Sequence, residues 1–427
     1  MKIAVFWFRR DLRLEDNVGL FNALTSDRPV LPLFIFDQEI LSSLPKDDPR
    51  VGFIHESLGS IHKKLSSVGS TLLVKNGSPK EIWTELLEEF EIEAVYTNHD
   101  YEPYAINRDA EIRQFLEAKG VEFHTFKDQV IFEKSDVLKD DGKPYTVYTP
   151  FKNKWLSRVQ PDSYESVVSE NHLNNFMKSS FGFPSLGEIG FEPSSIKVKP
   201  FNLEAMTGYE DKRDIPAMEA TSYLSPHLRF GTVSVRKLAK EASQRNQVFL
   251  SELIWREFFM QILYHFPKVV DQSFKSQYDH IEWEKNENHF KKWCDGKTGY
   301  PMVDAGMREL NETGYMHNRV RMVVASFLTK HLLLDWRWGE AYFAEKLLDY
   351  ELASNNGNWQ WAAGTGCDAA PYFRVFNPTS QLKKFDPQMK YCKKWLGADI
   401  GKYPPIVDHA AARQRALDRY KAGLERT

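Results

Sequence analysis

The first third of the chain alternates short apolar runs with longer amphipathic segments. The runs "KIAVFWF", "VLPLFIF", "TLLVK", "AVYTN" and "VEFHTF" are rich in β-branched and aromatic residues, which is typical of buried strands. Between them, segments such as "HESLGSIHKKLSSVG" and "PKEIWTELLEEF" place apolar residues at helical spacing. This alternation predicts a doubly wound parallel sheet with helices on both faces. Because no glycine-rich phosphate loop follows the first run, the fold alone assigns no dinucleotide or ATP site.

The pattern changes further along the chain. From about residue 135 to residue 200 the periodicity weakens and Pro, Gly, Ser and Asn become frequent, which indicates a long connection. Beyond it, "VSVRKLAKEASQ", "SELIWREFFMQILYHF", "MHNRVRMVVASFLTKHLLLDW" and "GEAYFAEKLLDYELA" all have helical spacing. We therefore predict an α/β domain over 1–134, a linker over 135–200 and a larger, all-α domain over 201–427. A chain of 427 residues is long enough for two domains.

The cysteine content and the N-terminal segment limit the cellular compartment and the kind of cofactor. The three cysteines, Cys294, Cys367 and Cys392, are widely spaced and odd in number, which argues against a disulfide framework or a metal centre and fits a reducing compartment. The N-terminal apolar stretch is too short for a signal peptide or a membrane span. We therefore expect a cytoplasmic protein with no membrane contact and no metal.

The charge is unevenly distributed. Residues 1–200 carry 24 Lys and Arg against 31 Asp and Glu, whereas the remainder is mildly basic within a total net charge of −3. The stretch "RVFNPTSQLKKFDPQMKYCKK" holds six cations and one anion, interleaved with aromatic residues. Such a stretch is usually a solvated face, but it also suits contact with nucleic acid.

Two predicted helices carry polar groups that suit a ligand. In "SELIWREFFMQIL", Glu252, Trp255 and Arg256 lie within one helical turn and could form either a surface ion pair beside a core tryptophan or a site for a planar aromatic ligand. In "MHNRVRM", Asn318 and Met322 share a face, and the polar residues must be satisfied by a helix–helix network or by a ligand. A metal role for the histidine there has no second ligand at helical spacing.

Two further segments remain ambiguous when each is taken alone. In "ATSYLSPHLRFG" the hydroxyls of Thr221, Ser222 and Ser225 precede a predicted helix, where they could cap it or bind phosphate. In "LLDYELASNNGNWQW", carboxylates are followed by two tryptophans two residues apart. Core packing is the ordinary role of such tryptophans.

The combined motifs resemble those of the DNA photolyases, within the photolyase/cryptochrome flavoproteins. The segments that carry the resemblance are "FWFRRDLRLEDN", "TSYLSPHLRFG", "SELIWREFF", "KTGYPMVDAGMREL", "MHNRVRMVVASFL" and "NNGNWQWAAGTGCDAAPYFRVFNP". They occur in family order and extend over nearly the whole chain. The resemblance implies a class I enzyme with an α/β antenna domain and a helical domain that holds FAD.

The resemblance also assigns cofactor residues. The positions expected to line the FAD diphosphate and adenosine are Tyr209, Thr221, Ser222, Leu224 and Ser225. Around the flavin ring we expect Arg256, Arg321 paired with Asp349, Glu351 and, near flavin N5, Asn355. Glu351 stands where the family usually has Asp.

The same resemblance assigns the reaction to light-driven repair of cyclobutane pyrimidine dimers in damaged DNA by electron transfer from reduced FAD. Residues expected at the flipped lesion are Glu252, Trp255, Asn318, Met322 and Trp361. A relay of tryptophans that reduces oxidised FAD is expected to run from Trp359 through Trp336 to Trp283 at the surface. Candidates for DNA phosphate contacts at the cavity mouth are Arg213, Arg319, Arg374, Gln381, Lys383 and Lys384.

Three rival functions differ from this assignment at identifiable residues. Relatives that repair (6-4) photoproducts carry His at the positions of Asn318 and Met322. Signalling cryptochromes usually replace Asn355 by Asp or Cys and add a long C-terminal tail. A nucleotide-binding protein with a helical regulatory domain would leave the tryptophan set unexplained. The resemblance therefore favours dimer repair.

The sequence says less about the antenna chromophore and the oligomeric state. Folate-binding relatives have Asn–Glu where Tyr104 and Ala105 stand, which disfavours a folate antenna. A deazaflavin, a second flavin and an empty pocket all stay open, so a second antenna chromophore has no assigned identity. We expect a monomer, as is usual in the family.

Overall fold

The computed structural model describes residues 1–426 and contains a five-stranded parallel sheet in the order β3-β2-β1-β4-β5. The strands are β1 (Ile3–Phe8), β2 (Val30–Asp37), β3 (Leu73–Gly77), β4 (Ile92–Asn98) and β5 (Glu122–Phe126). They coincide with the five apolar runs. The predicted fold, an α/β domain with a doubly wound parallel sheet and a larger helical domain, is confirmed.

The helices follow in chain order. The first nine are α1 (Val18–Leu24), α2 (Gln38–Leu41), α3 (Pro49–Ser66), α4 (Pro79–Glu89), α5 (Pro103–Glu117), α6 (Tyr148–Arg158), α7 (Tyr209–Lys212), α8 (Ser225–Phe230) and α9 (Val235–Arg245). The next nine are α10 (Gln247–His265), α11 (Glu287–Cys294), α12 (Pro301–Thr313), α13 (Asn318–Ser326), α14 (Trp336–Lys346), α15 (Leu352–Ala363), α16 (Pro378–Phe385), α17 (Lys390–Leu396) and α18 (His409–Leu424). A π-helical turn, Phe327–His331, extends α13, and short 3₁₀ segments connect other elements.

The described residues divide into two compact units that are discontinuous in the chain. Unit 1 comprises 1–133, 158–201 and 223–244, and unit 2 comprises 134–157, 202–222 and the described residues from Arg245 onward. The residues predicted as a linker are thus divided between the two units, with 135–157 in unit 2 and 158–200 in unit 1. Those ranges, 1–134, 135–200 and 201–427, remain a prediction about functional domains.

In unit 1 the central strands of the sheet are buried on both faces. Alternate residues of β1 enter two separate apolar clusters, with Ala4, Phe6 and Phe8 in one and Ile3, Val5 and Trp7 in the other. Every residue of β1 and β2 is buried. This explains why β1 and β2 appear in the sequence as continuous apolar runs without alternating polar residues.

Buried charged residues that follow β1 form ion pairs with distant parts of unit 1. The Arg13 guanidinium donates to Asp128 at 2.6 Å, and Arg236 donates to Asp128 at 2.9 Å and to Asp16 at 3.0 Å. Both carboxylate side chains are fully buried. The motif "FWFRRDLRLEDN" thus supplies part of an internal ionic network in which each charge has a partner.

In unit 2 the apolar core lies mainly among α12, α13, α14 and α15. The segment "GEAYFAEKLLDYELA", predicted as one helix, is divided, because α14 ends at Lys346 and α15 begins at Leu352. In the break, the backbone N–H of Leu348 donates to the carbonyl of Gly314 at 3.0 Å instead of to its own helix. Among residues 1–426, none of the helices has both the length and the apolar character that crossing a membrane requires.

We predict that Asp128→Asn lowers the free energy of unfolding by about 3–5 kcal/mol, because it leaves two buried guanidinium groups short of a counter-charge. Burial alone would raise the pKa of Asp128, but Arg13 and Arg236 more than offset it and lower that pKa below its ordinary value. The stabilisation is therefore present at neutral pH and lost as the pH falls below about 4 through the native pKa. Urea denaturation followed by circular dichroism measures both effects.

Asp27→Asn is the control for this prediction, since the Asp27 side chain is 84% exposed. It should change the free energy of unfolding by no more than about 0.5 kcal/mol. A loss below about 1 kcal/mol in Asp128→Asn, or a deficit that does not shrink at low pH, would contradict the proposed role of the network.

Candidate active site

The N-terminal end of α15 and the residues just before it are joined to three other helices by polar contacts. Glu351, the residue before the helix, accepts from Arg256 of α10 at 3.4 Å. Asp349 accepts from Arg321 of α13 at 2.9 Å. Asn355 donates to Glu340 of α14, at 3.0 Å to its carbonyl and at 2.8 Å to its carboxylate. We call this set the α15 hub; its residues are Arg256, Arg321, Glu340, Asp349, Glu351 and Asn355.

The hub places charged groups in a largely buried setting. The carboxylate of Glu351 is 5% exposed and that of Asp349 is 8% exposed. Burial raises the pKa of Glu340, and the hydrogen bond from Asn355 partly opposes this rise. Guanidinium, carboxylate and amide groups therefore converge around one helix end, where they offer both donors and acceptors to a ligand.

The two tryptophans of α15 have different surroundings because residues two apart lie on different sides of a helix. Trp359 is buried, with its ring centroid 5.0 Å from that of Phe343 and 6.1 Å from that of Trp293. Trp361 is half-buried, and its nearest ring, that of Phe376, is tilted at 6.4 Å. Trp359 thus belongs to the core, whereas Trp361 retains exposed aromatic surface.

A close approach fixes α10 against α15. A Cβ atom added to Gly357 would come within 2.1 Å of the ring of Phe259, so the two helices meet there without an intervening side chain. Trp255 lies one turn before Phe259, and Trp361 lies one turn after Gly357. Residues four apart share a helix face, so the two tryptophans extend the two sides of this contact.

Glu252 of α10 already forms an ion pair within the protein. Glu252 accepts from Arg213 at 2.7 Å, and both side chains are partly buried. Burial raises the pKa of Glu252, and Arg213 opposes that rise without cancelling it. The Arg213 guanidinium also lies 5.3 Å from the ring centroid of Tyr209. Arg213, Glu252 and Tyr209 therefore form one local cluster.

The predicted residues of α13 lie at its N-terminal end. Asn318 is exposed, and Met322, one turn on, is half-buried. His317 caps the helix by accepting from the backbone N–H of Arg319 at 3.1 Å, and burial lowers the pKa of His317 to about 4. Arg319 donates to Asp214 at 2.7 Å. The histidine therefore acts as a neutral cap of the helix that carries Asn318 and Met322.

The three tryptophans expected to form the relay belong to one apolar cluster. Trp359 and Trp336 are buried members, and Trp283 packs against the cluster while remaining half-buried. The ring of Trp359 lies against Gly339, one turn after Trp336 on α14. The backbone N–H of Glu284, next to Trp283, donates to the carbonyl of Leu333 at 2.8 Å.

The hydroxyl cluster does not cap α8. The cap position is Leu224, whose side chain cannot accept a hydrogen bond, and Ser225 is the first residue of the helix. Thr221 and Ser222 belong to unit 2, whereas Leu224 and Ser225 belong to unit 1. The carbonyl of Ser222 accepts from the backbone N–H of Asn202 at 2.8 Å.

The basic stretch is largely solvent-facing. Arg374, Lys383 and Lys384 are exposed. Gln381 of α16 is half-buried, and its buried side-chain oxygen accepts no hydrogen bond within the described residues. Of these candidates, Gln381 is thus the one whose acceptor points into the protein.

Two residues at this site were not predicted from the sequence. Glu340, which holds the amide of Asn355, lies 15 residues before it, and Tyr148, which stacks on Trp255, lies 107 residues before it. Neither separation leaves a periodic signal. Glu340 is one of four charged residues in α14, so nothing in the local sequence set it apart. Among residues 1–426, no group of three or more His, Cys, Asp or Glu side chains is arranged to hold a metal ion.

Comparison with known proteins gives full-length matches. Residues 4–168 match the family described as DNA photolyase, and residues 249–400 match the FAD binding domain of DNA photolyase. A deoxyribodipyrimidine photo-lyase of Halobacterium salinarum is 37% identical over 98% of this chain and 99% of its own length.

Two solved structures are also similar over their whole length. A bacterial class III photolyase from Agrobacterium tumefaciens has a TM-score of 0.87 at 34% identity, covering 100% of this chain and 98% of that chain. An archaeal photolyase from Sulfolobus tokodaii, solved with two FAD molecules, has a TM-score of 0.81 at 36% identity, covering 99% of this chain and 100% of that chain. The chain belongs to the DNA photolyase family.

The α15 hub fits the cofactor of that family. The polar edge of a flavin ring alternates N–H donors with carbonyl and ring-nitrogen acceptors. The hub supplies guanidinium groups from α10 and α13, carboxylates from the residues just before α15, and an amide from α15 itself. The hub lies within the matched FAD-binding region together with the buried Trp359. The residues present are therefore of the right chemical kind to hold FAD.

We predict that Gly357→Ala lowers the free energy of unfolding by about 1–3 kcal/mol, because its methyl group would overlap the ring of Phe259 and push α10 away from α15. The amount of FAD that copurifies should fall at the same time, since Arg256 of α10 would move away from Glu351. Thermal unfolding and the ratio of flavin to protein absorbance are the two measurements.

Gly52→Ala is the matched control. Gly52 lies within α3, and no atom lies within 4 Å of an added Cβ there. That variant should be as stable as the wild type or more stable by up to about 1 kcal/mol, as alanine favours helix. If Gly357→Ala behaved like Gly52→Ala, the close approach would not be what fixes the two helices.

Proposed function

We propose that this protein is a light-driven deoxyribodipyrimidine photo-lyase that repairs cyclobutane pyrimidine dimers in DNA. The observation that carries the proposal is the convergence of α10, α13 and α14 on the N-terminal end of α15 and the residues just before it, within the region that matches the photolyase FAD-binding domain. Full-length similarity to proteins with that activity supports it. Reduced FAD, when bound and excited by light, supplies the electron that opens the cyclobutane ring, and the electron returns afterwards.

The hub residues would bind and orient the cofactor. Arg256 and Arg321 would donate to the flavin edge while their carboxylate partners hold them in place. Asn355 has its amide nitrogen committed to Glu340, so its carbonyl oxygen is the atom left to accept a hydrogen bond from the ligand. We place Tyr209, Thr221, Ser222, Leu224 and Ser225 at the rest of the cofactor, as the resemblance implies.

The lesion would lie between aromatic surfaces. Trp255 and Trp361, on the two helices fixed by Phe259 and Gly357, would stack on the flipped bases, and Asn318 and Met322 would form a further wall. Extruding a base costs least where it already stacks badly, which favours the damaged site over normal DNA. Stacking contributes about 1–3 kcal/mol per base.

Arg213 and Glu252 would exchange partners on binding. In the free protein Arg213 holds the pKa of Glu252 below the value that burial alone would give. If Arg213 turns to a DNA phosphate, this opposition is removed and the carboxyl is more readily protonated. A protonated Glu252 can then donate to a carbonyl oxygen of the lesion. Arg319, Arg374, Gln381, Lys383 and Lys384 would add contacts that make affinity depend on salt.

Repair is tested with the purified, chemically reduced protein and an oligonucleotide that carries one thymine dimer. Blue light should restore the undamaged strand, whereas a dark sample and an oligonucleotide with a (6-4) lesion should remain unchanged. Trp361→Ala should weaken dimer binding by about 5- to 150-fold, as expected for loss of base stacking. Trp395→Ala, at another half-buried tryptophan, should bind normally. Repair of the (6-4) lesion alone, or of neither lesion, would reject the proposal.

The relay from Trp359 through Trp336 to Trp283 is a separate part of the proposal. Trp359→Phe should largely abolish the photoreduction of oxidised FAD by an external donor, because phenylalanine is much harder to oxidise. Repair by chemically reduced protein should be little changed. Trp293→Phe is the matched control, since Trp293 touches Trp359 and lies outside the relay. Equal photoreduction in both variants would exclude the relay.

Four finer assignments complete the proposal. We assign the chain to class I from its motifs, and a sequence tree that groups it with class III members would reject this. The three scattered cysteines favour a cytoplasmic location. We also expect a monomer, which light scattering tests. A second chromophore in unit 1 has no assigned identity; there, Tyr104 donates its hydroxyl to Asp37 at 2.6 Å. Chromatography of the released chromophores answers that question.

A further inference from the structure

Trp255 is covered on one side by another aromatic ring. The centroid of the Tyr148 ring lies 3.5 Å from that of Trp255, and the two planes differ by 8°, which is a face-to-face stack. Tyr148 is 7% exposed, whereas Trp255 is only half-buried. The rings of Phe258 and Phe259 also lie close to the indole, with centroids at 5.6 Å and 5.4 Å. The exposed part of Trp255 is therefore the part that these three rings leave uncovered.

Tyr148 is held in place at both its hydroxyl and its backbone. The hydroxyl donates to the carbonyl of Ser251 at 2.7 Å, one turn before Trp255. The backbone N–H donates to Asp368 at 2.9 Å. One turn later, Lys152 donates to the hydroxyl of Ser251 at 2.6 Å. A buried ring with these bonds would be costly to displace, so Tyr148 remains against the indole when a ligand arrives.

The rest of α6 continues along α10. The ring of Phe151 lies 5.3 Å from that of Phe258, and the indole N–H of Trp155 donates to the buried carboxylate of Glu257 at 2.5 Å. The stack of Tyr148 on Trp255 is thus the end of a continuous contact between two helices. This contact limits the rotation of Trp255 to orientations that keep its ring parallel to Tyr148.

We propose that Tyr148 is a positioning residue for lesion binding: it backs the indole of Trp255, so that the uncovered part of that ring is presented to the pyrimidine dimer in a fixed orientation. This inference rests on the proposed function, in which Trp255 stacks on the lesion. A ring fixed before binding loses less conformational freedom when the ligand arrives, and this lowers the free-energy cost of association. The effect belongs to binding and leaves the electron-transfer step unchanged.

The test compares Tyr148→Leu, which removes the aromatic ring, with Tyr148→Phe, which keeps the ring and removes the hydroxyl. Affinity for a dimer-containing oligonucleotide and for its undamaged counterpart is measured in the dark with the FAD-loaded protein. Tyr148→Leu should weaken dimer binding by about tenfold, the scale of one base stack, with little effect on undamaged DNA. Tyr148→Phe should lose at most about fivefold, the scale of one neutral hydrogen bond.

Three controls separate positioning from general damage. The yield of repair per absorbed photon at saturating dimer should match the wild type in both variants. Tyr145→Leu, the same change at a half-buried tyrosine whose nearest ring is Phe151, should leave dimer affinity unchanged. Near-ultraviolet circular dichroism should differ between wild type and Tyr148→Leu, and that difference should disappear when both carry Trp255→Phe. This last readout reports the stack without any DNA.

The proposal is overturned if Tyr148→Leu binds the dimer as tightly as the wild type, or if its affinity for undamaged DNA falls equally. It is also overturned if Tyr148→Phe loses as much as Tyr148→Leu, because the hydroxyl and not the ring would then be responsible. Failure of the wild type to bind or repair the dimer would instead reject the proposed function, while the dichroism would still show whether the two rings are stacked.

Discussion

The close approach of α10 and α15 at Phe259 and Gly357 is the constraint on which the site in unit 2 depends. Glycine is required there because the ring of Phe259 occupies the space of a side chain. The contact sets the separation of the helices that carry Trp255 and Trp361, and it brings Arg256 to Glu351. A single small residue thus fixes both an aromatic surface and one part of the α15 hub.

The polar groups around α15 are paired in a way that suits a binding site better than a purely structural one. Buried ion pairs contribute little net stability, since the cost of removing two charges from water offsets most of their attraction. The pairs Arg256–Glu351 and Arg321–Asp349 keep guanidinium groups in place at little net cost in free energy. They therefore provide a rigid polar lining without requiring the ligand to organise it. By contrast, the network around Asp128 in unit 1 is enclosed by the fold and serves the fold alone.

Much of this architecture could be predicted from the sequence because the hydrophobic periodicity of each segment indicates a strand or a helix. β1 and β2 are continuous apolar runs, the other three strands overlap shorter ones, and α9, α10 and α13 show helical spacing. The break between α14 and α15 was missed, because Leu348 pairs with Gly314, a partner 34 residues away that leaves no local signal. Glu340 and Tyr148 were missed for the same reason, although family motifs pointed to their partners Asn355 and Trp255.

Trp336 has no neighbouring group that could accept its indole proton after oxidation. It is 1% exposed, and its indole N–H has no acceptor within residues 1–426. An indole that has lost an electron normally becomes stable by releasing this proton, and among the described residues nothing next to Trp336 can take it. In the proposed relay the oxidised state would therefore be brief at this position. It would be trapped only at half-buried Trp283, where water can accept the proton, which makes charge separation directional.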